Sequence, residues 1–256
     1  MRSIDLNCDV GESSDPHRLE VEARVMQYVT SANIACGFHA GSQDLMRRTV
    51  NVARSHGIAV GAHPGFRDAE GAGRRPQTLS AREVENLVVY QIGALSAIAA
   101  LEGIRLSHVK PHGALYAMAA LDGVLATAIA SAVAKVDRRL ILYGLAGSRL
   151  TAAGRAQGLT VAEEAFADRA YRSDGSLVPR DCAGALIEDE GEVAKRVVRI
   201  VRENSAPSVD GPAVPLRVDS IGIHGDTDGA DRLAAAMRMA LEQAGVQIKA
   251  VVHAGA

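Results

Sequence analysis

The sequence predicts an α/β fold in which helices cover a parallel sheet. Short apolar runs rich in β-branched residues alternate with longer segments of helical periodicity, which is the pattern of repeated β-α-β units. A chain of 256 residues has the usual length of one α/β barrel domain, so we expect a single domain over 1–256. About eight evenly spaced strands favour a closed barrel, although an open doubly wound sheet has the same alternation.

The predicted strands are short and end at glycine or polar residues. They cover 4–8, 32–36, 59–62, 107–109, 140–144, 160–162, 220–223 and 247–251. In parallel α/β folds, ligands bind beyond the carboxyl ends of the strands, so functional side chains are expected there.

Capping residues mark where several of the intervening helices begin. Ser80 and Glu83 form a capping box before a long helix that Gly103 ends. Ser42, Asp122 and Asp228 are expected to cap three further helices through their side-chain oxygens.

Composition excludes several classes of protein. The net charge is −2 with both signs interspersed, which does not suit a nucleic-acid or polybasic membrane partner. The three cysteines, Cys8, Cys36 and Cys182, are too few and too far apart for a disulfide framework. Segment 1–5 becomes acidic before any apolar leader forms, and 87–101 is too short and polar to span a bilayer. We therefore expect a cytoplasmic protein without nucleic-acid or membrane partners.

The first strand carries polar side chains on one side. Asp5, Asn7 and Asp9 alternate with apolar residues at the strand period of two. One interpretation is a solvated edge strand that leads into an acidic turn. The other is a strand buried on both faces, whose polar side contributes to a site.

Histidines recur beside glycine turns after the predicted strands. His39, His63, His112 and His224 are all placed in this way, and the repetition favours one shared pocket. A single histidine of this kind is more often a structural residue. Together with Asp9, His39 and His63 have the ligand types of a divalent metal site, but no H-E-x-x-H motif makes metal binding specific.

Two further segments supply charged side chains at strand ends. Lys110 offers fixed positive charge for a developing oxyanion, and nearby His112 can transfer a proton; a surface lysine and a turn histidine are the alternative. His108, which alternates with Lys110, fits a hydrogen-bonded place in the core. In the later segment, Arg169 can bind a substrate carboxylate through its two-point fork, although an internal pair with Asp168 is equally compatible.

Six ordered motifs closely resemble the LamB/YcsF family over nearly the whole chain. They are Asp-Leu-Asn-Cys-Asp at 5–9, Ser-Ala-Asn-Ile-Ala-Cys-Gly-Phe-His-Ala-Gly at 31–41, Gly-Ala-His-Pro at 61–64, Val-Lys-Pro-His-Gly-Ala-Leu-Tyr at 109–116, Phe-Ala-Asp-Arg-Ala-Tyr at 166–171 and His-Gly-Asp at 224–226. The chain departs from the family pattern at Ser14, at Ala117 and at Ala72, where the family has phenylalanine.

The resemblance implies a seven-stranded β/α barrel of the glycoside hydrolase/deacetylase type. It also implies ATP-dependent opening of the lactam of 5-oxoproline to glutamate, together with 5-oxoprolinase subunits B and C. By the same resemblance, ATP would be a co-substrate handled with those partners. The chain has no G-x-x-x-x-G-K-[ST] motif, which argues against a self-contained P-loop ATPase. The alternatives are a stand-alone metal-dependent amide hydrolase or deacetylase and a non-catalytic subunit that binds a small molecule.

The candidate site residues fall into two groups. Those expected to be catalytic are Asp9, His39, His63, Lys110 and His112, and those expected to bind substrate are Asn7, Glu164, Asp168, Arg169, His224 and Asp226. Asp226 either orients His224 or caps the next helix.

Overall fold

Seven parallel strands form a closed barrel in the computed structural model, which describes residues 3–180, 182–225 and 229–252. The strands in chain order are β1 (Ser3–Val10), β2 (Ser31–Ala35), β3 (Ala59–His63), β4 (His108–Val109), β5 (Ile141–Leu145), β6 (Val161–Phe166), β7 (Ser205–Ala206), β8 (Val214–Pro215), β9 (Ser220–His224) and β10 (Gln247–Ile248). The barrel order is β1-β2-β3-β4-β5-β6-β9, and β9 pairs back with β1 to close it. The prediction of a barrel is confirmed, and the open doubly wound sheet is excluded.

The predicted eighth strand lies outside the barrel. β10 pairs in parallel with only the first residues of β1, at Ser3 and Ile4, and β7 and β8 form a separate antiparallel pair. β6 extends to Phe166, beyond the predicted end at residue 162. Its additional residues include the acid Glu164, which is buried inside the barrel. Because a buried acid interrupts the apolar pattern, the sequence does not reveal this part of the strand.

Helices surround the barrel and connect its strands. They are α1 (Pro16–Val25), α2 (Gln43–Ser55), α3 (Ala81–Leu101), α4 (Gly113–Leu121), α5 (Gly123–Val136), α6 (Arg149–Ala156), α7 (Glu190–Glu203) and α8 (Ala230–Gln243). The capping box of Ser80 and Glu83 is present, and Ser42 and Asp122 cap α2 and α5 as predicted. Asp228, the third predicted cap, lies outside the described residues.

One helix corrects the expectation about membrane-spanning segments. α3 is 21 residues long, and its length and composition would suit a membrane span. It packs against β3, α2 and α5 through a buried face that includes Val84, Val88, Ile92 and Leu95. Packing against these elements accounts for the apolar residues of this face.

The interior of the barrel is polar, and β1 contributes much of that polarity. β1 is hydrogen-bonded to β2 on one side and to β9 on the other, so the solvated edge strand is wrong. Asp5 is fully buried near the amino ends of the strands. Its carboxylate accepts hydrogen bonds from the hydroxyls of Thr30, Ser31, Ser220 and Tyr143. Burial raises the pKa of Asp5 above its usual value, although these four hydrogen bonds oppose the shift.

Candidate functional site

A cavity of about 560 Å³ lies at the carboxyl ends of the strands, where the sequence placed a ligand site. Its lining includes Asp9, Glu12, His63, Arg74, Lys110, His112, Tyr116, Phe166, Arg169, Leu177, Val178, Pro179, Arg180 and His224. The strand-end side chains predicted from β1, β3, β4, β6 and β9 therefore meet in one place.

Lys110 lies on the floor of the cavity, with three oxygen acceptors around its ammonium. Its Nζ is 3.0 Å from Asp9 Oδ1, 2.8 Å from Glu164 Oε1 and 3.0 Å from Asn7 Oδ1. Burial lowers the pKa of Lys110, but the two carboxylates outweigh burial and raise that pKa above its usual value. An ammonium has three N–H donors, and these acceptors occupy all of them. The three acceptors therefore leave the Lys110 ammonium no free N–H donor.

Backbone carbonyls fix the tautomers of two imidazoles. His63 Nδ1 lies 2.7 Å from the carbonyl oxygen of Lys110, and His112 Nε2 lies 2.8 Å from that of Ala72. A carbonyl oxygen only accepts, so each of these ring nitrogens carries a proton. The other two nitrogens, His63 Nε2 and His112 Nδ1, face each other at 3.0 Å.

The two imidazoles differ in their affinity for a proton. Burial lowers the pKa of His63, but the carboxylates of Asp9 and Glu12 outweigh burial and raise that pKa above its usual value. Burial, reinforced by the neighbouring His63 and His39, lowers the pKa of His112 to about 3. A single additional proton in this pair therefore resides on His63.

Glu12, which the sequence analysis did not select, completes the cluster. Its Oε1 lies 3.2 Å from His112 Nδ1, 3.3 Å from His39 Nε2 and 3.8 Å from His63 Nε2. Burial raises the pKa of Glu12, but the imidazoles outweigh burial and lower the pKa below its usual value. Within the described residues, Glu12 Oε1 and both ring nitrogens of His39 have no hydrogen-bond partner.

A buried carboxylate on α1 holds the turn that presents Glu12. Glu22 Oε2 accepts the backbone N–H of Gly11 at 2.9 Å, and Gly11 adopts a positive φ of 74°. That φ favours glycine and turns the chain immediately after β1. A search that extended four residues beyond the predicted end of the first strand, at residue 8, would have found Glu12.

A loop covers the imidazoles from one side. Ala72 adopts a φ of 47°, which is unusual for a residue other than glycine, and its carbonyl accepts from His112. At Gly73, a Cβ atom would lie 2.7 Å from His39 Cβ and 2.9 Å from His112 Cδ2. His39 and His112 stack below with ring centroids 3.9 Å apart. Close approach of this loop therefore depends on glycine at position 73.

His108 has the structural place that its alternation with Lys110 predicted. Its Nδ1 lies 2.7 Å from Ser107 Oγ and its Nε2 lies 2.8 Å from Asn33 Oδ1. Burial lowers the pKa of His108 to about 3, so the ring stays neutral. Asn33 then donates to Asp9 Oδ1 at 2.8 Å and transmits this support to the site.

The opposite wall carries a histidine–carboxylate pair. His224 Nδ1 lies 2.7 Å from Asp168 Oδ2, and the His224 ring stacks on Phe166 with centroids 5.1 Å apart. Burial raises the pKa of Asp168, but His224 outweighs burial and the pKa lies below its usual value. Asp226, predicted to bind substrate or to orient His224, lies outside the described residues.

Arginines contribute positive charge to the same wall. Arg169 is buried, and its Nη2 donates to the carbonyl of Val178 at 2.7 Å. The Arg169 Nε–H has no hydrogen-bond partner in the part of the chain that the structure describes. Arg180, which is half-buried, and Arg74, which is exposed, also line the cavity.

Potential metal ligands form a different set from the one predicted. Asp9, His63 and His112 offer ligand atoms within 4.8 Å of one another, and Glu12, His39 and His112 do the same. His112 takes the place beside Asp9 and His63 that the sequence analysis gave to His39.

Comparisons with known proteins identify the family of this chain. A sequence model of the LamB/YcsF family matches residues 4–255. Two relatives are named as the A subunit of 5-oxoprolinase. The protein from Rhodopseudomonas palustris strain BisA53 is 52% identical over 97% of this chain and 98% of its own length. The protein from Geobacillus kaustophilus strain HTA426 is 53% identical over 98% of this chain and 97% of its own length.

Two solved structures are similar in fold. The lactam utilization protein from Thermus thermophilus superposes with a TM-score of 0.90 and 46% identity, covering 98% of this chain and all of that one. A putative cellobiose-phosphate cleavage protein from Enterococcus faecalis V583 has a TM-score of 0.55 at 11% identity, covering 96% of each chain, and shares the fold alone.

Proposed function

The chain belongs to the LamB/YcsF family, and on that premise we propose that it is the A subunit of an ATP-dependent 5-oxoprolinase. In this role it hydrolyses the lactam amide of 5-oxoproline to glutamate together with subunits B and C. The observation that carries the proposal is that one cavity contains both an acid–imidazole cluster, formed by Asp9, Glu12, His63 and His112, and the buried Arg169. Relatives that match nearly the whole chain are named as the A subunit of 5-oxoprolinase.

Arg169 is the group we propose for the substrate carboxylate. Its buried Nε–H is without a partner in the described residues, and a guanidinium binds carboxylates in two-point geometry. Phe166 lies in the same wall and offers an apolar surface for the methylene carbons of the lactam ring.

Glu12 and the facing nitrogens of His63 and His112 are the groups we propose for the attacking water. Glu12 is ionised and lies within 3.8 Å of both nitrogens, so a water bound there has acceptors for its protons. Loss of one proton to Glu12 makes the water a nucleophile for the lactam carbonyl carbon. Asp9 keeps His63 in place from the other side, with its Oδ2 3.5 Å from His63 Nε2.

His224 is the group we propose for protonating the leaving nitrogen. When the C–N bond breaks, its electron pair goes to nitrogen, and that nitrogen must gain a proton. In the imidazolium form, His224 donates Nδ1–H to Asp168 and has a second proton on Nε2, which it gives to the leaving nitrogen as the ring becomes neutral. Lys110 holds Asp9 and Glu164 in position and keeps positive charge near the reacting group.

The partners and location follow from the same proposal. We propose that ATP is bound with subunits B and C, since the sequence has no phosphate-binding loop of the Walker type. Coupling to ATP activates an unstrained amide that water attacks slowly. We propose a cytoplasmic location, consistent with two buried free cysteines and a third that is exposed.

A specific observation favours a second candidate function, a metal-dependent amide hydrolase that works without ATP. The triad of Asp9, His63 and His112 has the ligand types of a hydrolytic metal centre. Activity of the isolated chain with a divalent ion and no ATP would favour this alternative.

Glutamate formation from 5-oxoproline tests the proposal. The chain alone, subunits B and C alone, and all three together are assayed with and without ATP. We expect glutamate only from the complete set with ATP, and its loss when His63→Ala replaces the parent chain. The matched control is His17→Ala, which removes an exposed histidine on α1 and should keep full activity. Glutamate from B and C alone would contradict the proposal.

A further inference from the structure

The acid–imidazole cluster directs several acceptor lone pairs at one another. The carbonyls of Lys110 and Ala72 accept the N–H of each neutral imidazole, so in this neutral form His63 Nε2 and His112 Nδ1 both direct lone pairs into a gap of 3.0 Å. Asp9 Oδ2 lies 3.5 Å from His63 Nε2, and Glu12 Oε1 lies 3.2 Å from His112 Nδ1. Two nitrogens and two carboxylate oxygens therefore converge as acceptors.

The local charges are also unbalanced. Asp9, Glu12 and Glu164 supply three carboxylates around this part of the cavity. Among the described residues, the one ammonium that contacts any of them is that of Lys110, which binds Asp9 and Glu164. Buried like charges that face one another are costly unless a cation separates them. The ring nitrogens of His39, which is only 2% exposed, have no hydrogen-bond partner in the described part of the chain.

We propose that Asp9, His63 and His112 bind one divalent transition-metal ion of the zinc class, with Glu12 beside the ion. His63 Nε2 lies 3.0 Å from His112 Nδ1 and 3.5 Å from Asp9 Oδ2, and the ligand atoms of the triad all lie within 4.8 Å of one another. Ligands around a tetrahedral ion at about 2.0–2.1 Å lie about 3.3 Å from one another, so two of the three separations already suit such an ion. Two imidazoles and a carboxylate suit zinc-class ions, whereas magnesium and calcium prefer oxygen ligands throughout.

The surroundings of the triad match those of a built metal site. Metal-binding histidines usually donate their second N–H to a carbonyl or carboxylate, which fixes the ring and its tautomer, and both imidazoles here do so. Asp9 is also held, because Asn33 and Lys110 bind its Oδ1 and leave Oδ2 for an ion. His39 lies 3.3 Å from Glu12 Oε1 and stacks on His112, so it positions both groups without being in the triad.

A bound ion would assist the proposed hydrolysis by lowering the pKa of a bound water. Only this catalytic role of the ion rests on the proposed function. Glu12 would accept the proton of that water. Metal binding itself depends on neither lactam nor ATP.

Metal titration of the full chain tests the site. The chain is stripped with a chelator, dialysed, and titrated with Co²⁺, whose visible absorption reports nitrogen ligation and coordination geometry, and with Zn²⁺ by calorimetry. We expect one ion per chain and a rise in the unfolding temperature with Zn²⁺ concentration. His63→Ala should weaken binding by more than about 100-fold, since even loss of an outer partner costs about 10–100-fold.

Controls separate the site from adventitious binding and from misfolding. His17→Ala should bind Co²⁺ as the parent does, and circular dichroism verifies that each variant is folded. If His63→Ala does not fold, His112→Gln replaces it and should lose the Co²⁺ spectrum. No saturable binding by the parent chain, or equal affinity in parent and folded triad variants, would overturn the proposal.

The outcome is distinguishable from failure of the proposed function. A chain that binds no ion yet makes glutamate with ATP and its partners would refute the metal site alone. A chain that binds the ion at the triad and makes no glutamate under any condition would refute the function alone.

Discussion

A carboxylate lies near each end of β1, and the two carboxylates differ in how many hydrogen-bond donors surround them. Asp5, at the amino end, accepts hydrogen bonds from four hydroxyls of the barrel interior. Glu12, just beyond the carboxyl end, faces three imidazoles, and its Oε1 has no hydrogen-bond partner among the described residues. Saturated polar groups stabilise a fold, whereas unsatisfied ones are retained for binding or chemistry. The difference separates structural from functional polarity within one strand.

The largest expected effect is on the activity of Glu12→Gln. The change removes the proposed base while keeping size and shape, so ATP-dependent glutamate formation should fall by about 10²–10⁴-fold. The unfolding temperature should fall modestly, because the imidazoles lower the pKa of Glu12 and its ionised form therefore contributes to stability. Glu70→Gln, at a side chain that is 92% exposed, is the matched control. Normal turnover by Glu12→Gln would show that Glu12 is not the base and would contradict a functional role for the carboxylate at this end of β1.

The second effect is on stability at the other end of the strand. Asp5→Asn replaces one acceptor oxygen with a donor among four hydroxyl donors, and we expect it to lower the free energy of unfolding by about 2–4 kcal/mol. Activity per folded molecule should remain within a few-fold of the parent. Urea unfolding measures the first quantity and the coupled glutamate assay the second.

A control for this prediction is Asp44→Asn, which changes an exposed acid in the first turn of α2. Its effect should stay below about 1 kcal/mol. If Asp5→Asn is as stable as this control, saturation by hydroxyls is not what keeps Asp5 in the barrel.

Arg169→Lys tests the opposite wall and should have a smaller effect. Lysine keeps the charge but loses the planar fork, so we expect KM for 5-oxoproline to rise by about tenfold with little change in kcat. Steady-state kinetics with saturating ATP separates the two parameters. Arg139→Lys, at an exposed arginine, provides the matched control. A change in kcat alone would assign Arg169 to the reaction step instead of to substrate binding.

The smallest expected effect is that of Tyr116→Phe. The Tyr116 hydroxyl donates to Glu164 Oε2 at 2.8 Å, and Glu164 keeps its other oxygen on Lys110. Loss of one such bond should cost about 1–2 kcal/mol of stability and less than about tenfold in activity. Thermal unfolding and the glutamate assay measure both. A much larger loss of activity would indicate that the hydroxyl contacts substrate.

Local patterns in the sequence predict much of the fold and part of the site. The period of two along β1 places Asp5, Asn7 and Asp9 inside the barrel, and the strand-end rule identifies His63 and Lys110. Both rules work because they depend on nearest neighbours in the chain. They locate side chains but do not predict what those side chains touch.

The remaining features depend on contacts between distant parts of the chain. Three acceptors from β1 and β6 surround Lys110, which local sequence cannot show. The tautomer of His112 is set by a carbonyl forty positions away, at Ala72. Glu12 lies beyond a glycine turn whose geometry depends on Glu22 of α1. The acidic residues within β6 also conceal the true length of that strand.

The three cavity arginines differ in depth, and this difference affects how fast an anion is captured. Arg74 is exposed, Arg180 is half-buried and Arg169 is buried, so positive charge leads from solvent towards the interior. An approaching carboxylate therefore meets the exposed Arg74 and the half-buried Arg180 before it reaches the buried Arg169. Long-range attraction of this kind accelerates encounter and is screened by salt. The association rate of an anionic ligand should therefore fall as ionic strength rises, while the bond-breaking step inside the cavity remains largely insensitive to salt.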